Sequence, residues 1–169
     1  ADGFLVVVGR EKALLISEDG EKYSPEEIEE AIVNCGELIQ QAMIYCDHKK
    51  YTTALLVLDN EKVKKYISQD SITESRVLLE AVKDSMDQYK HEKVYKGRFP
   101  GNWTPSTYQV LLEPFKEQNR MINSSMKTVR FQITDAYRDL LEYMYTSEGR
   151  SCVNDRNSET IKTLFGLDK

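Results

Sequence analysis

Apolar and polar positions fall along this chain in blocks of changing period. Phe4 to Val8 is a short run of β-branched and apolar residues, which predicts a strand. The polar stretch Gly9-Arg10-Glu11-Lys12 interrupts it. Ala13 to Ser17 resumes a strand, and Glu18-Asp19-Gly20 predicts a tight turn, because Asp-Gly readily adopts positive φ. The period then lengthens. Ile28, Ala31, Ile32 and Cys35 recur at i, i+3, i+4 and i+7, which predicts a helix over 25–35. Its start is written in full: Ser24 as N-cap, Pro25 at the first helical position and Glu27 three residues after the cap, the spacing of a capping box. Gly36 provides a stop.

Further on, Ile39 to Cys46 and Thr52 to Leu58 predict two strands of a hairpin around the polar loop Asp47-His48-Lys49-Lys50. Asp59 or Asn60 can cap a short helix over 61–68. A longer helix over 74–92 follows, with Val77, Leu78, Val82, Met86 and Tyr89 as its apolar face. Residues 94–106 carry two glycines and two prolines and predict a loop held to the body by its aromatics. A strand over 107–112 stops at Pro114. Val129, Ile133, Ala136, Tyr137, Leu140, Leu141 and Met144 mark a last long helix within 129–145. The region 147–169 is polar until Ile161, Leu164 and Phe165, which predict one short packing helix. Strands and helices alternate irregularly, so the expected fold is α+β: a small mixed or antiparallel sheet with packed helices.

Composition narrows the function. The 169 residues suffice for one domain with a real core, and 40% hydrophobic against 30% charged content describes a globular chain. The net charge of −5 argues against nucleic-acid binding, which calls for a basic stripe. Cys35, Cys46 and Cys152 form no CxxC pair; an odd, scattered set suits a reducing compartment, and a cytoplasmic location is expected. The apolar run near the start is too short for a membrane span, and no basic amphipathic helix demands membrane contact, although peripheral association stays open. The chain opens on Ala1, directly into a strand, as a piece of a longer protein would.

The usual marks of hydrolytic or metal chemistry are absent. His48 and His91 each sit among charges without a second ligand at helical spacing, and both are expected on the surface. No GxSxG, HExxH or glycine-rich phosphate loop occurs, and no metal site is expected. Glu26-Glu27 and Glu29-Glu30 lie in the first turns of a helix, where they favour its dipole.

Two stretches remain. In GREKALLISEDGEKYSPEEIEE, the residues Gly9, Arg10, Lys12, Gly20, Pro25, Glu27, Ile28 and Glu29 form a pattern that resembles the opening of the C-terminal subdomain of acyl-activating adenylate-forming enzymes. That group includes fatty-acyl-CoA synthetases, acetyl-CoA synthetase, firefly luciferase and nonribosomal adenylation domains. Leu38 to Asp59 resembles the strand pair that follows in the family. Leu111 to Arg130 is similar to the segment that ends in the family's catalytic lysine, and Ser124-Ser125-Met126-Lys127 fits the form found in long-chain fatty-acid ligases. The likeness covers the first 59 residues and 107–130 well. The usual Asn-Gly ahead of the lysine is replaced by Asn119-Arg120, a departure that leaves the turn geometry there open.

The resemblance implies a two-step AMP-forming ligase. A fatty acid attacks ATP to give acyl-adenylate and pyrophosphate, and the CoA thiol then displaces AMP. It implies Lys127 as the catalytic lysine, on a turn anchored by Met126 and Val129. It implies Lys12 as the hinge, Gly20 on the CoA side after rotation, and Arg10 as a contact to nucleotide phosphate or to the larger domain. ATP and CoA would be substrates of the full enzyme, with Mg2+ accompanying ATP and not bound by this domain. The implied partner is an N-terminal adenylation domain of the same chain. The corresponding division is 1–12 as linker end and hinge, 13–146 as the mobile domain and 147–169 as a tail. Two alternatives stay open: a non-catalytic α+β module that binds a ligand or partner, and a domain that passes the acyl group to an acyl carrier protein.

Overall fold

The computed structural model describes residues 13–168, so the strand expected at 4–8 lies outside the described residues. Two three-stranded sheets organise the rest. In the smaller, β1 (Leu15–Ser17) pairs antiparallel with β2 (Lys22–Tyr23) across the Gly20 turn and parallel with β4 (Asp47–Lys49). In the larger, β5 (Thr52–Leu58) lies between β3 (Ile39–Tyr45) and β6 (Pro105–Val110), antiparallel to the first and parallel to the second. Both sheets are therefore mixed, and the fold is α+β as expected. The polar stretch after β3 is not a simple loop. Its first three residues form β4, tied to the small sheet by the Glu18 amide donating to the Lys49 carbonyl at 3.0 Å.

All seven residues of β5 are buried, because helices cover both faces of its sheet, and a strand covered on both faces reads as a continuous apolar run rather than an alternating one. Above it, Ile28 and Ile32 of α1 (Pro25–Cys35), Leu78, Val82 and Met86 of α3 (Ser75–Asp87) and Ile161 of α6 (Asp155–Phe165) pack on Ala42, Ile44, Ala54 and Leu56. Below it, Met43, Leu55 and Val57 meet Ile133 of α4 (Arg130–Ala136) and Leu141 of α5 (Arg138–Tyr143). The remaining helix, α2 (Asn60–Gln69), is capped by Asp59, whose carboxylate accepts from the Lys62 amide at 3.1 Å.

Several local expectations need correcting. Ser24 occupies the N-cap position with extended backbone, but its side chain makes no capping hydrogen bond, so the capping box does not form. Gly36 ends α1 at φ −85°, not in a left-handed stop. Its value is space: a Cβ there would lie 2.7 Å from the Ile32 carbonyl oxygen and 2.8 Å from that of Ser85, so the glycine lets α1 abut α3. In α3, Leu79 is fully buried while Val77 is 38% exposed, a rotation of the expected apolar face. The last long helix divides at Tyr137 into α4 and α5. The packing helix expected at Ile161, Leu164 and Phe165 is α6; it begins at Asp155, and fully buried Asn157 lies along it beside Ile161. The 94–106 loop is held by its aromatics as expected, with Trp103 stacked on Tyr23 at 5.2 Å and Phe99 against Tyr89 and Tyr95.

Candidate functional site

Lys127 is carried on a loop that closes on itself before α4. Asn123 is its fastener. The Asn123 carbonyl accepts from the Met126 amide at 2.9 Å, and its side-chain oxygen accepts from the amides of Ser125 at 2.9 Å and Lys127 at 3.0 Å. The Val129 amide donates to the Met121 carbonyl, and Ile122 bridges Thr128 in a short antiparallel contact. Met126 adopts φ 62° and is 73% exposed, so it does not anchor the turn; polar bonds from Asn123 do that work. Upstream, Arg120 takes the left-handed conformation at φ 65° that the glycine of an Asn-Gly pair would take freely. Asn119 closes this turn, accepting from the Lys116 and Met121 amides and donating to the Pro114 carbonyl.

The Lys127 side chain is exposed, and among the described residues it enters no ion pair. It lines a cavity of about 500 Å3 between its own loop and the first turns of α1, together with Glu26, Glu29, Asn123 and Arg130, and with Ala13 just before β1. Glu29 is buried on the flank of α1. One of its oxygens accepts from the Ile44 amide at 2.7 Å, and the other pairs with the Arg130 guanidinium. Burial pushes the Glu29 carboxyl above the ordinary glutamate range, and Arg130 and the Ile44 amide pull it part of the way back. The acids of this first turn are therefore not all dipole partners: Glu29 is a fixed buried group. Its pairing with Arg130 was not foreseen, and the only sequence signal for it is an acid placed directly beside the apolar stripe of α1.

Gly20 lies elsewhere. It turns β1 into β2 at φ 87°, with its amide donating to the Ser17 carbonyl, and a Cβ there would meet nothing within 4 Å. Asp19 accepts from the Ser17 hydroxyl, which draws its carboxyl below the usual range. Ala13 borders the Lys127 cavity, whereas Ser17, at the far end of β1, begins the Gly20 turn. Ala13 and Ser17 are four residues apart, about 13 Å along extended chain. Beside the Gly20 turn a second cleft of about 500 Å3 is lined by Glu18, His48, Lys49, Lys50, Tyr51, Tyr145 and Arg150. Lys49 stands 5.1 Å over the Tyr145 ring and Arg150 5.8 Å over that of Tyr51. His48 is exposed, with Nδ1 2.8 Å from the Asp47 carboxylate. Lys12 and Arg10 lie outside the described residues. No group of three or more histidine, cysteine or acidic side chains among the described residues is placed to hold a metal, and no helix among them is long and apolar enough to cross a membrane.

A family model described as AMP-binding enzyme C-terminal domain matches residues 12–98. The chain belongs to this family. This AMP-binding enzyme C-terminal domain is 30% identical over 156 residues to fadD11 of Mycobacterium tuberculosis, designated a fatty-acid–CoA ligase; the match covers 89% of the chain and 26% of that relative. It is 26% identical over 170 residues to the mouse long-chain-fatty-acid–CoA ligase ACSBG1, covering 88% of the chain and 23% of the relative. The domain thus spans about a quarter of the length of these relatives. Among solved structures it is similar in fold to the A-PCP didomain of a carboxylic acid reductase from Segniliparus rugosus in complex with AMP, with a TM-score of 0.65 at 22% identity over 85% of this chain and 19% of that one.

Proposed function

We propose that this chain is the mobile C-terminal domain of an AMP-forming long-chain fatty-acid–CoA ligase, acting with an N-terminal adenylation domain of the same polypeptide. The observation that carries the reading is the placement of Lys127: exposed, on a loop fixed by Asn123, at the mouth of a cavity on one end of the domain. In the first half-reaction the fatty-acid carboxylate attacks the α-phosphorus of ATP, and pyrophosphate leaves with the electron pair of the broken P–O bond. Two anions approach one another in that step. An ammonium at the α-phosphate offsets the charge that builds, and does so more strongly where water is excluded. Mg2+ would travel with ATP on the larger domain.

In the second half-reaction the CoA thiolate attacks the acyl carbonyl and AMP leaves. A rotation at Lys12 withdraws Lys127 and presents the Gly20 turn. Domain closure about a few residues is a common device for such exchanges. A glycine with open space around its missing Cβ lets a pantetheine chain run close to the main chain. The separation of Gly20 from Lys127 along β1 suits a module that shows one face per step. Arg10 would meet a nucleotide phosphate or the larger domain. Such an enzyme would work in the cytoplasm, or at the surface of a membrane that supplies the fatty acid.

The test uses the full-length protein that carries this domain. Lys127→Ala should slow acyl-adenylate formation, read as fatty-acid-dependent pyrophosphate exchange, by about a hundredfold or more. It should leave conversion of supplied acyl-adenylate to acyl-CoA nearly intact. Lys12→Pro, which fixes φ, should show the reverse pattern. Unchanged pyrophosphate exchange in Lys127→Ala would refute the assignment.

A further inference from the structure

The Lys127 cavity contains an ion pair that the reaction above leaves without a task. Glu29 is 8% exposed and Arg130, the first residue of α4, keeps 18% of its side-chain surface. Burying two charges costs several kcal/mol per ion before pairing offsets it, and apolar residues of similar volume often serve stability as well or better. A buried pair is therefore better understood by what it fixes in place.

Glu29 is itself anchored to the core. Its neighbours Ile28 and Ile32 are fully buried, and one carboxylate oxygen holds the Ile44 amide on β3, an edge strand of the large sheet. The second oxygen reaches Arg130, three residues after Lys127. The Asn123 bonds set the internal shape of the loop, and Met121 and Ile133 seat its two ends in the lower core. Neither ties it to α1, the other wall of the cavity. Among the described residues, Glu29–Arg130 is the one ion pair that spans from α1 to the segment 121–130.

We propose that Glu29 and Arg130 are positioning residues for Lys127: the carboxylate anchored on α1 and β3 grips the guanidinium at the start of α4 and fixes the height and direction at which the lysine loop stands over the cavity. The inference rests on Lys127 as the catalytic group. Neither residue needs to touch substrate. Their effect falls on adenylate formation alone, because only that step uses the lysine.

The experiment takes the full-length protein and compares Arg130→Met, Arg130→Lys, Glu29→Gln, the Glu29→Gln/Arg130→Met pair and Lys127→Ala. Each is assayed for pyrophosphate exchange, for thioester formation from supplied acyl-adenylate, and for amide hydrogen exchange at Ser125 and Lys127. Arg130→Met should lower kcat of pyrophosphate exchange by about tenfold to a hundredfold, the cost of a misplacement near 1 Å. The KM for ATP and the thioester step should stay within about twofold. Arg130→Lys, which keeps a charge for the buried carboxylate, should fall between, and it replaces Arg130→Met if that variant fails to fold. The double variant should be no worse than the poorer single one, as for residues acting as one unit. Amide exchange in the loop should quicken in each. Equal loss in both half-reactions, or wild-type pyrophosphate exchange in a folded Arg130 variant while Lys127→Ala is crippled, would overturn the inference alone. If Lys127→Ala itself kept wild-type exchange, the assignment of the lysine would fall first.

Discussion

Asn123 holds Lys127 by both ends of its peptide unit: the Asn123 side-chain oxygen accepts from the Lys127 amide at 3.0 Å, and the Asn123 amide donates to the Lys127 carbonyl at 2.9 Å. The same side-chain oxygen also takes the Ser125 amide. Removing it would free two amides that are exposed and can turn to water, so the cost to folding is small, while the loop loses its shape. Asn123→Ala should therefore lower the melting temperature little but slow adenylate formation by about tenfold. Asn123→Asp, which keeps the acceptor, should retain most activity. A loss of stability without a loss of rate would contradict this.

Gly20 offers a contrast, since its surroundings are empty and its backbone is not. At φ 87° any L side chain is strained by about 1 kcal/mol or somewhat more. Gly20→Val should destabilise the domain by about that amount, measured by urea unfolding. In the full-length protein, under the proposed function, it should raise the KM for CoA and slow thioester formation more than pyrophosphate exchange, because the added methyls would occupy the space proposed for the acceptor. Equal effects on the two half-reactions would separate Gly20 from the CoA step.

The strands and helices around these sites were readable wherever one period dominated. Helix α1 follows from its single buried stripe, and the pair β3–β5 from two mainly apolar runs on either side of a polar break. What escaped depends on contacts between distant segments. Asp47–Lys49 looked like a polar loop because its strand identity comes only from pairing with β1. Asn157 fell within a stretch read only as polar, because its burial is imposed by β6. At the site, the order of motifs pointed to Lys127 and Gly20, but the anchors of the lysine loop did not show. Met126 was the apolar choice for that role and stands in solvent, while Asn123 and Arg130 act through hydrogen bonds that no periodicity records.

Glu29 makes stability depend on pH with a definite sign. Its native pKa is raised from the ordinary 4.5, chiefly by burial. The native state then binds the proton more tightly than the unfolded chain, so this group favours folding most below about 4.5 and loses that contribution as pH rises through the native value. The difference in unfolding free energy between wild type and Glu29→Gln should fall as pH is raised from about 4 and then level off. The glutamine variant does not titrate there, so the other carboxyls, including Asp19 with its opposite shift, cancel in the subtraction. A difference that grew with pH would mean that Arg130 outweighs burial at this carboxyl.

Asn157 ties the C-terminal helix into the sheet by imitating a strand. Its side-chain oxygen accepts from the Val110 amide at 2.8 Å, and its side-chain nitrogen donates to the Tyr108 carbonyl at 3.0 Å and to the Cys152 carbonyl at 2.9 Å. Val110 and Tyr108 lie two apart on β6, an edge strand whose outward main-chain groups would otherwise be buried without partners. Each such group left unsatisfied costs about 1–3 kcal/mol. Asn157→Ala should thus destabilise the domain by about 3 kcal/mol or more, a large share of the 5–15 kcal/mol typical of a domain. Asn157→Asp should be at least as harmful, since it strips both donations and buries a charge facing two carbonyls. Urea unfolding of the three proteins measures this directly. If alanine cost less than about 1 kcal/mol, the helix would be an accessory to the sheet, and the edge of β6 would have to find its partners in water.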